Sequence, residues 1–265
     1  MPEDADIYRH DREKQKARRM FDSSEARKAF ENVLDHETLM ALMKLDEREV
    51  IEQIHGTIES GKESLVFLAD TPEGERVLVK IYMTQAGGFR DMEQYLRGDK
   101  RFRNFKSDRR SIIHEWCKKE YKNLKKAQKV LRCPDPIAFQ KNILVMEFIG
   151  RDFSPFPKLK DVEIENPEGA LDRVLGEVED LWSEEQLVHG DLSEYNILVT
   201  DGGELVWIDF SQGVYKNHPE ALNLLKRDVE NIVEFFNGQG TDRDSDKALK
   251  SIISEEEAAE AGFNL

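Results

Sequence analysis

Leu187-Val188-His189-Gly190-Asp191-Leu192-Ser193-Glu194-Tyr195-Asn196-Ile197-Leu198-Val199 is a polar insert between two short apolar runs. The flanking residues are strand formers, so the insert is a loop with Asp191 placed five positions before Asn196. Thirteen residues further on, Asp209 ends a second apolar run, Leu205-Val206-Trp207-Ile208. A carboxylate can orient a hydroxyl and take its proton, and hard oxygens from an amide and a second carboxylate suit a magnesium ion that screens phosphates. Phosphoryl transfer asks for little else from a protein than such placement of charge.

Residues upstream supply matching parts. The stretch from Ile54 to Ala69 reads as strand, polar turn, strand, with Gly56 and Gly61 permitting close backbone approach and Lys62 and Ser64 within reach of phosphate oxygens. The turn differs from a Walker loop, because Lys62 is followed by Glu63 and then by the β-like run Leu65-Val66-Phe67-Leu68 rather than a helix. Arg76–Tyr82 is the next strand and carries Lys80 between Val79 and Ile81. Met83–Ser111 has few aliphatics and reads as a long loop in which basic residues alternate with Tyr95, Phe102 and Phe105. Ile112–Val130 is an amphipathic helix that sets Glu120 beside its apolar face, where it can pair with Lys80. Asn142–Gly150 is an apolar strand running into a hinge, with Met146 guarding a pocket and Glu147 to Ile149 offering backbone hydrogen bonds to an adenine edge. Helices are expected over Ala170–Trp182 and Ala221–Phe236, and Asp228 in the second is placed to hydrogen-bond the backbone of the Asp191 loop. The highly charged residues 1–30 read as a solvated, partly helical arm, and the acidic end as frayed.

The chain has 265 residues and 39% apolar content, enough for one large domain or two lobes with real cores. No run approaches a membrane span, and no apolar segment resembles a secretory core, so a cytoplasmic protein is expected. Cys117 and Cys133 lack partners at metal-ligand spacing, which argues against a structural zinc site. A net charge of -15 argues against gross attraction to nucleic acid, yet residues 97–132 hold fourteen Lys or Arg against four acidic residues and could meet RNA phosphates. Ser107 and Ser111 are hydroxyls within that basic setting and are candidate autophosphorylation sites.

These residues resemble the RIO family of atypical protein kinases across roughly residues 33–250. The resemblance rests on Ser60-Gly61-Lys62-Glu63-Ser64, Val79-Lys80-Ile81-Tyr82, His189 through Asn196, and Ile208-Asp209-Phe210-Ser211-Gln212, and it continues through His218-Pro219 and Arg227-Asp228. It implies an α+β, two-lobed protein-kinase-like fold of the compact RIO type. Residues 1–50 would form a basic and helical extension, 51–146 the N-lobe, 147–150 the hinge, 151–251 the C-lobe and 252–265 an acidic tail. His218-Pro219 follows Asp209 within ten residues, which leaves no room for an activation segment. The Ser-Gln after Phe210 and the Leu34-Asp35…Thr38-Leu39 pattern look like the first RIO subfamily, whereas Glu63-Ser64 leans the other way; the compact length looks archaeal.

The resemblance further assigns catalysis to Asp191, Asp209 and Lys80, and Mg²⁺ (with Mn²⁺ as an alternative) to Asn196 and Asp209. ATP contacts fall to Ile58, Ser60, Gly61, Lys62, Glu63, Ser64, Val66, Lys80, Glu120, Met146, Glu147, Phe148, Ile149 and Asn196. It implies autophosphorylation or ATP hydrolysis through a phosphoaspartate at Asp209, and a part in late maturation of the small ribosomal subunit, with the pre-subunit particle as partner and a monomer favoured. A nucleotide-sensing assembly module with little turnover and a small-molecule phosphotransferase are the alternatives.

Overall fold

The computed structural model describes residues 15–31, 35–84, 89–102 and 106–260. Residues 1–14 of the expected arm, Leu34, Phe105 and residues 261–265 of the expected tail lie outside them. Two compact units emerge: Met1–Glu93, Asn104–Tyr121 and Asp135–Pro155 make one, and Gln94–Arg103, Lys122–Pro134 and Phe156–Leu265 the other. Two stretches of the 51–146 segment thus group with the C-terminal unit.

The first unit is built on an antiparallel sheet in the order β1-β2-β3-β5-β4, formed by Gln53–Ser60, Ser64–Asp70, Arg76–Tyr82, Pro136–Gln140 (β4) and Ile143–Glu147 (β5). Alternation along β3 decides what each face carries. Val77, Val79 and Ile81 join Leu65, Phe67, Ile143 and Val145 in a core with residues of helices α1 (Ser24–Glu31) and α2 (His36–Glu47). Leu78, Lys80 and Tyr82 take the opposite face. The register sets Val66 opposite Lys80 and Lys80 opposite Leu144, and sets Leu78 opposite Met146, so these residues share one face.

Over residues 15–30, the part of the expected solvated arm that is described, the structure corrects the expectation. Ala17, Met20, Phe21, Ala26 and Phe30 are buried in this core, and Met20 O accepts a hydrogen bond from Ile54 N at 2.6 Å. Burying each of the larger side chains contributes about 1.5–3 kcal/mol, and together they offset part of the entropy lost in ordering this charged segment against the sheet. The tie also has an ionic part. His55 Nδ1 lies 2.5 Å from Asp22 Oδ2, and its Nε2 lies 2.8 Å from Asp70 Oδ2. Burial works against protonating this ring, but the hydrogen bonds and charges of Asp22 and Asp70 outweigh it and raise the His55 pKa. A raised histidine pKa contributes stability that is complete below the unfolded value of about 6.5 and is lost as pH rises through the folded value. The stability advantage of wild type over His55→Gln is therefore expected to be largest near about pH 6 and to fade as pH rises above the unfolded value. Thermal unfolding of both proteins across that range checks it, and a pH-independent difference would count against the ionic tie.

Helix α3 (Phe89–Gly98) and a 3₁₀ turn (Lys100–Phe102) occupy what reads in the sequence as a long loop. Met92 and Leu96, one turn apart, are buried and hold it in place. Helix α4 runs Arg109–Ala127, and the partition into units falls within it. Ser111 is half-buried rather than exposed, with its hydroxyl donating to Asp108 Oδ2 at 2.7 Å; Ser107 is exposed.

The second unit holds α5 (Pro167–Ser183), started by Pro167 and by Asn166, whose side chain accepts from Gly169 N, and α6 (Ala221–Gly238). Short antiparallel pairs carry its loops: Leu187–Val188 with Val214–Tyr215, and Ile197–Val199 with Leu205–Trp207. Helices α7 (Ser245–Ile252) and α8 (Glu255–Glu260) follow. The end of the chain is thus not frayed through Glu260. Ala258 is fully buried, Glu257 pairs with Lys216, and Lys216 in turn lies over the Trp182 ring. Among the described residues no helix is long and apolar enough to cross a membrane.

Candidate active site

In the first unit, strand alternation turns Lys80 away from the α1–α2 core, and Glu120 on α4 meets it. Lys80 Nζ stands 2.8 Å from Glu120 Oε1, with the two side chains 7% and 1% exposed. Tyr82 OH donates to the other carboxylate oxygen, so both oxygens are engaged. Two charges survive this burial because each is paired and hydrogen-bonded. Val66 and Met146 are buried on the Lys80 face. Ser60, Gly61 and Lys62 are exposed in the β1–β2 turn, which Gly61 N closes by donating to Ser64 O at 3.0 Å. Ile58, Glu63 and Ser64 are half-buried beside them. A Cβ built at Gly56 meets nothing within 4 Å, so protein packing does not demand that glycine. At the expected hinge, the Glu147 amide already donates to Asp135 O at 2.9 Å.

In the second unit the Asp191 loop is held from beneath by Asp228. Its Oδ2 accepts from Gly190 N at 2.7 Å and its Oδ1 from Leu192 N at 2.9 Å. Arg227 donates to Gly190 O, and Asn231 Nδ2 donates to Leu192 O at 3.1 Å. Gly190 has a φ of 80°, and a Cβ there would come 3.1 Å from Gln212 O, so turn and packing both call for glycine. Asn196 Nδ2 donates to Asp191 O at 2.7 Å, which fixes the amide orientation and frees Oδ1 for a cation. Burial first, and then the negative charge of Asp209, push the Asp191 carboxyl above its usual range.

The Asp209 loop is joined to the Asp191 loop at its base. Ile208 N donates to Asn196 O at 2.9 Å, and His189 Nε2 donates to Ile208 O at 3.0 Å while its Nδ1 accepts from Asp191 N at 3.3 Å. This pattern specifies a neutral His189 with its proton on Nε2. Asp209 is exposed and adopts the left-handed conformation, with φ at 60°. Asn196 Oδ1 and the Asp209 carboxylate are hard oxygens that would suit magnesium, which takes few protein oxygens and completes its shell with phosphate and water.

Reasoning from the sequence named His189 without a role and overlooked Asn123 altogether; its position three residues after Glu120 on the same helix was the available signal. The basic surface expected over residues 97–132 is corrected at its centre. Arg101 is taken up by Asp99 and the Tyr215 ring, Lys126 and Lys129 by Glu185, and Lys119 is fully buried over Trp116. Lys100 and Lys106 remain among the exposed cations.

A five-stranded sheet with a buried Lys–Glu pair, together with an Asp–Asn loop and an Asp-terminated strand, defines a protein-kinase-like fold. The RIO domain model matches residues 65–249. The chain is 39% identical over 249 residues to the RIO-type serine/threonine-protein kinase Rio1 of Haloferax volcanii, covering 94% of this chain and 85% of that protein. It is 41% identical over 229 residues to Rio1 of Methanocaldococcus jannaschii, covering 86% and 78%. Among solved structures, the Rio2 kinase–ADP/Mg²⁺–phosphoaspartate complex of Chaetomium thermophilum superimposes with a TM-score of 0.62 at 20% identity, covering 86% of this chain and 71% of that one. The chain belongs to the RIO family of atypical serine/threonine-protein kinases, and within it to the Rio1 group.

Proposed function

We propose that this kinase uses Mg²⁺-ATP to phosphorylate itself, with Asp209 as a transient phosphate acceptor, and that it acts as an ATPase switch in late maturation of the small ribosomal subunit. The observation that carries the reading is the joined pair of loops, with Asn196 tied to both the Asp191 loop and the Ile208–Asp209 strand end. Lys80, held by Glu120, binds nucleotide phosphates. Asp191 accepts the proton of an attacking hydroxyl or water, and burial together with the charge of Asp209 raises its pKa, which makes the carboxylate a stronger base. Asn196 and Asp209 hold magnesium, which neutralises charge on the phosphates.

In the acceptor step an Asp209 oxygen attacks the γ-phosphorus and the bond to ADP breaks. Water then cleaves the acyl phosphate and releases inorganic phosphate. The phosphoaspartate in the related Rio2 complex supports this assignment, and the exposure of Asp209 is compatible with it. Helix α6 starts at Ala221, twelve residues after Asp209, which leaves little chain to build a peptide platform and favours self-directed chemistry over phosphorylation of exogenous peptides. The ribosomal role rests on membership of the Rio1 group, and we place the protein in the cytoplasm.

Incubation with γ-labelled ATP and Mg²⁺ tests the reading. Wild type should acquire label and release phosphate, with a hydroxylamine-labile fraction marking acyl phosphate, and Asp209→Asn should lose both activities by at least about a hundredfold. Wild-type labelling of Asp209→Asn would remove Asp209 from the centre of the mechanism. ATP binding without label or phosphate release in wild type would favour a nucleotide-sensing module.

A further inference from the structure

Asp209 keeps a left-handed backbone although it is not glycine, so something must hold the chain on both sides of it. On the N-terminal side, Ile208 is held by Asn196 and His189. On the C-terminal side the holder is Asn123, which is fully buried. Its Nδ2 donates to Phe210 O at 2.9 Å and to Gly213 O at 2.8 Å, bracketing the turn that Gly213 N closes onto Phe210 O at 3.1 Å. Its Oδ1 accepts from Arg101 Nη1 at 2.8 Å. Arg101 is itself fixed by Asp99, with Nε 2.9 Å from both carboxylate oxygens, and by the Tyr215 ring, 3.6 Å from the guanidinium carbon. A Cβ at Gly213 would lie 2.9 Å from Asn123 Nδ2, so the approach is as close as a glycine allows.

We propose that Asn123, oriented by Arg101, is a positioning residue for phosphoryl transfer that holds the Phe210–Gly213 turn and thereby the backbone conformation that presents the Asp209 carboxylate. The inference rests on the role of Asp209 given above. The chemistry is directional. A primary amide is needed because two carbonyl oxygens must be met by two N–H bonds, while the third polar contact needs an acceptor. Aspartate at this position keeps the acceptor for Arg101 but turns an oxygen toward two carbonyls.

Three readouts on Asn123→Asp separate positioning from general stability. In ligand-free protein, the Gly213 amide should exchange hydrogen about tenfold faster, as expected when a buried hydrogen-bonded turn loses its bracket. Binding of Mn²⁺ in the presence of ADP, followed by electron paramagnetic resonance, should weaken about tenfold, and the Mg²⁺ concentration giving half-maximal phosphate release should rise in parallel. The KM for ATP at saturating Mg²⁺ should stay within about twofold, since a lost positioning contact need not weaken nucleotide binding. Arg101→Lys, which can still pair with Asp99 but loses the planar donor to Asn123, should show the same changes at about threefold.

Wild-type exchange and wild-type cation binding in a folded Asn123→Asp protein would overturn the proposal. Should that variant not fold, wild-type values in Arg101→Lys would do so. The exchange measurement uses neither nucleotide nor cation, so it tests the bracket independently of the labelling of Asp209→Asn, which tests the role of Asp209 itself.

Discussion

Glu120→Ala is expected to lose about 3–5 kcal/mol of folding stability together with measurable phosphoryl transfer, because it removes the carboxylate paired with a buried lysine. Lys80 Nζ has Glu120 at 2.8 Å and the Tyr82 ring at 5.2 Å. Without the carboxylate the buried ammonium loses the partner at 2.8 Å that offsets its desolvation, which is costly. Lys80→Ala should be destabilising for the mirror-image reason, though less so, since Tyr82 OH still donates to Glu120. A domain has only about 5–15 kcal/mol of stability in total, so either change should be evident in a urea melt.

The double variant Lys80→Met/Glu120→Leu distinguishes function from stability. It removes both charges and their desolvation and should be more stable than Glu120→Ala, yet it should remain inactive. Urea midpoints and phosphate release for the four proteins check this. Single variants within about 1 kcal/mol of wild type would show that the pair is not the buried unit described.

Asp228→Ala is the second change with a large expected effect. It leaves the Gly190 and Leu192 amides without the acceptors they meet at 2.7 and 2.9 Å, inside a buried loop. Each unsatisfied donor costs about 1–3 kcal/mol, and the loop that orients Asp191 loses its support. Phosphate release should fall by about a hundredfold while KM for ATP changes little, since displacements near 1 Å at a reacting group have effects of that size. Loss of ATP affinity with unchanged turnover would contradict the assignment.

Charge enters as well. Burial pushes the Asp228 carboxyl up to about 7, against the lowering by the two amides and Arg227. A carboxyl raised above its unfolded value of about 3.8 contributes stability that is complete below that value and is lost as pH rises through the folded value. The stability difference between wild type and Asp228→Asn should therefore shrink between about pH 4 and pH 7.

Much of this architecture is local and could be read directly. Strand β3 spans Arg76–Tyr82 as its period-two alternation predicts, and the same alternation sets Lys80 on the face away from the helical core. The turn between β1 and β2, the loop from His189 to Asn196 and the strand end at Asp209 follow from short apolar runs bounded by polar residues. Other elements escaped for identifiable reasons. Helix α3 is amphipathic, with Met92 and Leu96 on one face, but these few apolar residues sit in a charged stretch low in aliphatics that reads as loop by composition. The packing of Met20, Phe21 and Phe30 depends on a sheet that begins about thirty residues later. The basic residues of 97–132 looked free because their partners, Glu185 and Tyr215 among them, lie far along the chain.

By itself, then, the sequence determined the strands, the two loops, the chemical class of Asp191, Asn196 and Asp209, and the family to which they belong. Side-chain period and residue spacing are properties of neighbouring positions and need no tertiary context. The pairing of Glu120 with Lys80, 40 positions apart, and the seating of Asp228 under Gly190, 38 apart, were expected and are given their distances by the fold, whereas only the tertiary structure decided that Asn123 stands on Phe210, 87 apart. Hydrogen bonds of 2.7–2.9 Å across such separations exist only once the intervening chain has folded, because buried donors and acceptors must find partners wherever packing brings them.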